Sequence, residues 1–219
     1  MVPCDAFLIA AGPAFAWGRQ GHMATGLVAY DMLAQRDPAS IAQIVALIAQ
    51  HPNYARFGSA LEGLEGAERE RRLFAPVARW PDDIRATPYN HTPWQLRVVV
   101  GSTAFIGLRM GKADLAADRP GDDFAGAESI AATEEAALPE VAAPSGDTLS
   151  DYRNWARESE RIAVESVNPG AIEAEGAKRA KAGILPPDYL VLARSIAEKR
   201  IGEAGERLAG LLAALFPKT

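Results

Sequence analysis

After the pair Pro186-Pro187, apolar side chains recur at Leu190, Ala193, Ala197, Ile201, Ala204, Leu208, Leu211 and Leu215, in steps of three and four. That spacing builds one continuous face on a long helix, because successive helical residues turn by about 100°. Such a seam must be buried, and other helices laid along it are the natural partners. The helix of residues 38–50 is the expected one. Gly202, Gly205 and Gly210 weaken the helix locally but let a neighbour come close. Leu208 is expected in the core, and Glu206 is expected to contribute little to stability.

The rest of the chain supports an all-α reading. In "DPASIAQIVALIAQHP", Asp37 can N-cap, Pro38 suits the first helical position, and Ile41, Ile44, Val45 and Ile48 form the apolar stripe. His51-Pro52 ends it. Upstream, Met23, Leu27 and Tyr30 share a helical face, flanked by Ala24 and Val28. "GAERERRLFA" reads as a charged amphipathic helix that Pro76 interrupts or restarts before "VARWPDDIR". In "SDYRNWARESERIAVESV", Ser150 is the expected cap of a helix carrying Tyr152, Trp155 and Ile162.

Two stretches break the helical pattern. "RVVVGSTAFIG" is β-prone and reads as a strand or a buried extended segment. From about 111 to 149 the chain is rich in Ala, Gly, Pro and acids, with Phe124 its only aromatic residue. So little apolar surface offsets the entropy of ordering poorly, so most of this stretch is expected to be a partly disordered linker. A short helix around 127–137 is the exception. The expectation is a single helical domain over 17–219, interrupted by that linker.

The 219 residues carry a net charge of -5, which gives no general basic surface. A phosphate-bearing ligand would need a local positive element such as a metal ion. No apolar run is long enough to span a bilayer. Cys4 is the only cysteine, so no intrachain disulfide can form. Residues 6–16, "AFLIAAGPAFA", are apolar and end in the small residues Ala14 and Ala16. That is the outline of a secretory signal with its cleavage site, although "MVPCD" lacks the usual basic residues. The alternative is an apolar N-terminal segment that stays attached. With 1–16 as a signal, the mature chain would be secreted or periplasmic.

Cleavage after Ala16 would free the amine of Trp17. An α-amine and its neighbouring carbonyl oxygen can chelate a metal, and His22 can add an imidazole nitrogen. The cut would then help to build the site. Only three histidines exist, His22, His51 and His91, and no common one-line catalytic signature is present.

"WGRQGH", residues 17–22, resembles the mature N-terminus of the zinc-dependent single-strand nucleases of the S-one/P-one type, which begin Trp-Gly-x-x-Gly-His. "RWPDDIR", residues 79–85, is similar to a second motif of that family, whose Asp is a zinc ligand and maps onto Asp82. "WARES" and "AGERLAGLL" match further segments, in family order. The resemblance implies an all-α fold of the phospholipase C/nuclease type around a cluster of three zinc ions. The implied activity is hydrolysis of phosphodiester bonds in single-stranded DNA or RNA, and often of 3′-phosphates.

The departures are specific. Where the family has an aromatic residue followed by a ligand His, Trp94 is followed here by Gln95. His91 stands four residues earlier and would serve only if the loop shifts. The family's His-x-x-x-Asp helix and its later Asn-Leu-His segment have no counterpart, and no histidine follows His91. Trp17, His22, Asp82 and His91 are therefore the candidate metal ligands, enough for one zinc and not for three. The expected activity is an impaired zinc-dependent endonuclease acting on single-stranded nucleic acid or nucleotides. The alternatives are a non-catalytic helical remnant that binds a partner or a phosphate ligand, and a phospholipase C-like phosphodiesterase.

Overall fold

The first helix, α1 (Arg19–Arg36), is apolar on nearly every side. Ala24, Leu27, Val28, Ala29 and Leu33 are all sealed from solvent, although they point in different directions around its axis. A helix of that kind belongs in the middle of a bundle. In the computed structural model, which describes residues 19–83, 123–135, 144–162, 165–166 and 187–216, that is where it lies. The regular structure among the described residues is helical throughout. It continues with α2 (Pro38–Ala49), a 3-10 segment (Tyr54–Leu61), α3 (Gly66–Asp83), α4 (Asp123–Glu135), α5 (Thr148–Ile162) and α6 (Pro187–Leu215). The β-prone run 97–107 lies outside the described residues.

Three helices pack along α1, and each comes close where a glycine removes a side chain. At the α3 contact, a Cβ on Gly26 would stand 2.4 Å from the Phe74 carbonyl oxygen. Against α6, a Cβ on Gly205 would meet Val28 at 2.5 Å. Gly126 of α4 accepts the Gln20 side chain in the same way. Tyr30 and Phe74 pack edge-on at 5.2 Å beside the first of these contacts.

Several expectations change in detail. The terminal helix packs chiefly on α1, and only lightly on the helix of residues 38–50. Its contact line runs through Ala197, Ile201, Gly205 and Ala209, so it slips one position from the apolar seam after Ile201. Ala204 turns outward and Leu215 is 72% exposed. Val28 needs the space that only Gly205 leaves. Leu208 is half-buried against the main core. Glu206, expected to matter little, is buried and receives a hydrogen bond from Arg36 at 2.7 Å.

Asp37 sits at the N-cap of α2 and is buried, but its side chain makes no capping bond. Its carbonyl instead accepts the Ser40 N–H and Oγ–H. Pro76 does not divide α3, which runs through it to Asp83. A helix-interior proline costs about 3 kcal/mol, and burial of Leu73, Phe74 and Ala75 around it offsets that cost. The short helix expected around 127–137 is α4, which begins and ends earlier, at 123–135. Ala127 and Ala131 are fully buried there, and the Arg72 guanidinium lies 3.2 Å over the Phe124 ring. Small side chains let α4 sit close, so its few large apolar groups understate its burial. The remainder of 111–143 lies outside the described residues. The α5 cap is Asp147 and not Ser150: its carboxylate accepts the Ser150 N–H at 3.2 Å and Oγ–H at 2.6 Å.

Arginine forks join the helices. Arg71 of α3 binds both Asp31 oxygens of α1 at 2.7 Å, and both Glu128 oxygens of α4 at 2.7 and 2.8 Å. At the α5–α6 seam, Glu158 receives Arg200 and Arg207, each at 2.6 Å. Burial disfavours the Glu158 carboxylate, but the Arg207 hydrogen bond and the two guanidinium charges outweigh it and hold its pKa below the ordinary 4.5. A depressed folded-state pKa gives stability that is complete above the unfolded value and is lost as pH falls through the folded one. The melting temperature should therefore drop as the solution is acidified below about pH 4.5. Glu158→Gln should be less stable at neutral pH and show a shallower acid loss. Identical pH slopes for the two proteins in thermal melts would show that this pair is not responsible.

Candidate metal site at one end of the α1–α3 pair

Trp17 and His91 lie outside the described residues. His22 lies in the first turn of α1 and is partly buried. Asp82 is the penultimate residue of α3.

The register of the two helices relates His22 to Asp82. The Tyr30 hydroxyl donates to the Ala67 carbonyl at 3.2 Å and approaches Glu70. Gly26 faces Phe74 and Ala78. Arg79 reaches the Met23 sulfur at 3.9 Å. As the position on α1 falls, its partner on α3 rises, so the helices are antiparallel. The start of α1 and the end of α3 therefore share one end of the bundle, and His22 and Asp82 belong to it. The α4 wall reaches the same end, where Gln20, only 7% exposed, packs on Gly126.

The two acids of "RWPDDIR" differ. Asp83 accepts a hydrogen bond from Arg79 at 2.9 Å, one turn earlier on the same helix. That ion pair engages Asp83 within α3 itself. An imidazole and a carboxylate are a donor set that suits zinc. Such an ion takes four ligands, and the other two candidates, Trp17 and His91, lie outside the described residues. Among the described residues, no group of three or more His, Cys, Asp or Glu converges as a metal site would require.

A concavity lies on the face of α3 turned away from α1. Leu47, Ile48, Gln50, His51, Phe57, Val77 and Trp80 enclose a cleft of about 360 Å³. His51 is expected as a helix stop and Trp80 as part of the motif "RWPDDIR". The spacing of Leu73, Val77 and Trp80 gives α3 a second apolar face and is a signal for Trp80 alone. No helix among the described residues is long and apolar enough to cross a membrane. Comparison of the chain with protein-family models, with curated proteins and with solved structures gives no match.

Proposed function

We propose that this chain is a secreted or periplasmic relative of the zinc-dependent single-strand nucleases of the S-one/P-one type, with one zinc site and weak phosphodiester hydrolysis. The reading rests on "WGRQGH" and "RWPDDIR". The observation that carries it is the antiparallel register of α1 and α3, which brings the His and Asp of those motifs to one end of the bundle. The all-helical architecture of the described residues is compatible with it.

In this reading His22 offers an imidazole nitrogen and Asp82 a carboxylate oxygen. Trp17 offers its amine and carbonyl once the chain is cut after Ala16. His91 is the remaining candidate. A zinc ion held there would acidify water and polarise a phosphoryl oxygen. The substrate would be single-stranded nucleic acid or a nucleotide. Activity would be weak because three histidines, none beyond His91, cannot supply a three-zinc cluster. The charge of the phosphoryl transition state then lacks its further cations.

One structural feature favours the non-catalytic helical reading. Arg71 joins α1, α3 and α4 by ion pairs, a link between these helices that uses no metal ligand. Zinc titration of the chain beginning at Trp17 separates the two readings. One equivalent should bind, and His22→Ala and Asp82→Ala should each weaken it by at least about tenfold, since each removes a direct ligand. His91→Ala should matter less. Turnover on single-stranded DNA should be slow and chelator-sensitive, and it should exceed turnover on a phosphatidylcholine analogue. No zinc bound at any ratio would leave the non-catalytic reading. Vigorous chelator-sensitive cleavage would mean that further ligands come from elsewhere.

A further inference from the structure

We propose that the cleft between the end of α2, the 3-10 segment and α3 is a binding site for a small aromatic acid: a flat apolar body with a hydrogen-bond-accepting carboxylate. The proposal does not rest on the zinc reading. Phe74 and Ala78 of α3 face α1, whereas Val77 and Trp80 face the cleft.

The volume of about 360 Å³ falls in the range of small-molecule sites. The walls favour a flat ring. The His51 imidazole stands edge-on to the Trp80 indole at 4.8 Å and tilted against Phe57 at 6.2 Å. Ile48 and Val77 close the apolar side. Leu47, another lining residue, is 56% exposed, so an apolar occupant would cover surface now facing water.

The polar groups set what the occupant must bring. The Asn53 N–H donates to His51 Nδ1 at 3.1 Å. That nitrogen therefore carries no proton, and in the neutral ring the proton is on Nε2. No acceptor for Nε2–H is found among the described residues. The Trp80 Nε1–H is buried without a partner and is not open to an occupant. The Gln50 amide already donates to the Ala46 carbonyl. The His51 Nε2–H is thus the lining's unpartnered ring donor, and the lining holds no carboxylate. An acceptor is the complementary group, and an ionised one makes the stronger bond. The cleft opens to solvent, so a carboxylate at its mouth keeps part of its hydration.

Isothermal titration of the full chain with 2-naphthoate, and in parallel with naphthalene, tests this. The wild type should bind 2-naphthoate saturably at one site. Val77→Trp fills the cleft and should abolish binding of both probes, with circular dichroism confirming the fold. Leu47→Asp, at an exposed position that does not endanger folding, should weaken 2-naphthoate about tenfold by charge repulsion and affect naphthalene less. His51→Phe keeps the ring and removes the donor. It should weaken 2-naphthoate about tenfold and leave naphthalene unchanged. Absence of saturable binding in the wild type, or wild-type affinity in both Val77→Trp and Leu47→Asp, would overturn the site. Equal effects of His51→Phe on the two probes would overturn the assignment of an acid.

Discussion

Replacing Arg71 with alanine should lower the unfolding free energy by roughly 2–4 kcal/mol, among the largest single-residue effects expected in this protein. The residue is the only contact through which one side chain of α3 holds both α1 and α4 among the ion pairs of the described residues. Its fork meets the two Asp31 oxygens in parallel, the geometry in which guanidinium exceeds ammonium. The Asp31 side chain is 14% exposed, so removing its partner leaves a carboxylate with little access to water. Glu128 is 38% exposed, and solvent screens its share, which keeps the estimate below that for a fully buried pair. Arg71→Lys retains the charge without the fork and should recover less than half of the loss. Arg161→Ala, in an exposed pair one helical turn apart, should stay within about 0.5 kcal/mol of wild type. The comparison is made by urea denaturation, with the midpoint carrying the effect and the slope unchanged. Arg71→Ala as mild as Arg161→Ala would mean that Asp31 and Glu128 find water or other partners once the fork is gone.

Nothing in the local sequence around Arg71 marks it for this role. "GAERERRLFA" holds two glutamates and three arginines that look alike, and the partners of Arg71 come from positions 31 and 128. Features written within one helical turn were legible: Pro38 at the start of α2, the Ile41 and Ile44 stripe, and the apolar character of the terminal helix. Features set by what lies opposite were not. The seam of α6 follows Gly205 and not Ala204 because Val28 presses against it, and Val28 belongs to another helix. α4 was legible as a short helix around 127–137, but its earlier start and its close packing were not, for a related reason. Alanine and glycine contribute little apolar area each, yet they let helices approach, and the gain comes from the neighbour's surface as much as their own. The candidate site divides the same way. His22 and Asp82 were each named from a short motif, while their common location at one end of the bundle depends on the α1–α3 register. The cleft on the far side of α3 needed three separate elements to meet, so no single stretch of sequence announced it.

Because that register depends on close approach, Gly26→Ala should destabilise the protein by about 2 kcal/mol and loosen the proposed zinc site without touching either ligand. The added Cβ would lie 2.4 Å from the Phe74 carbonyl oxygen, 2.9 Å from the carbonyl carbon and 3.0 Å from the Ala78 methyl. Two of these atoms are helix backbone and cannot rotate aside, so α1 and α3 must part. Parting them weakens the Tyr30–Phe74 contact and the packing of Leu27. Alanine's better helix propensity returns about 1 kcal/mol, which is why the net cost falls short of a full overpacking penalty. Gly58, in the 3-10 segment, has nothing within 4 Å of a built Cβ and provides the matched control. Gly58→Ala should be neutral, or more stable by a few tenths of a kcal/mol, through loss of unfolded-state freedom. Zinc affinity should fall several-fold in Gly26→Ala and stay at the wild-type value in Gly58→Ala, both measured on folded protein well below the melting temperature. If Gly26→Ala kept both its stability and its zinc affinity, the helices would be free to separate, and the register linking His22 to Asp82 would no longer support a shared site.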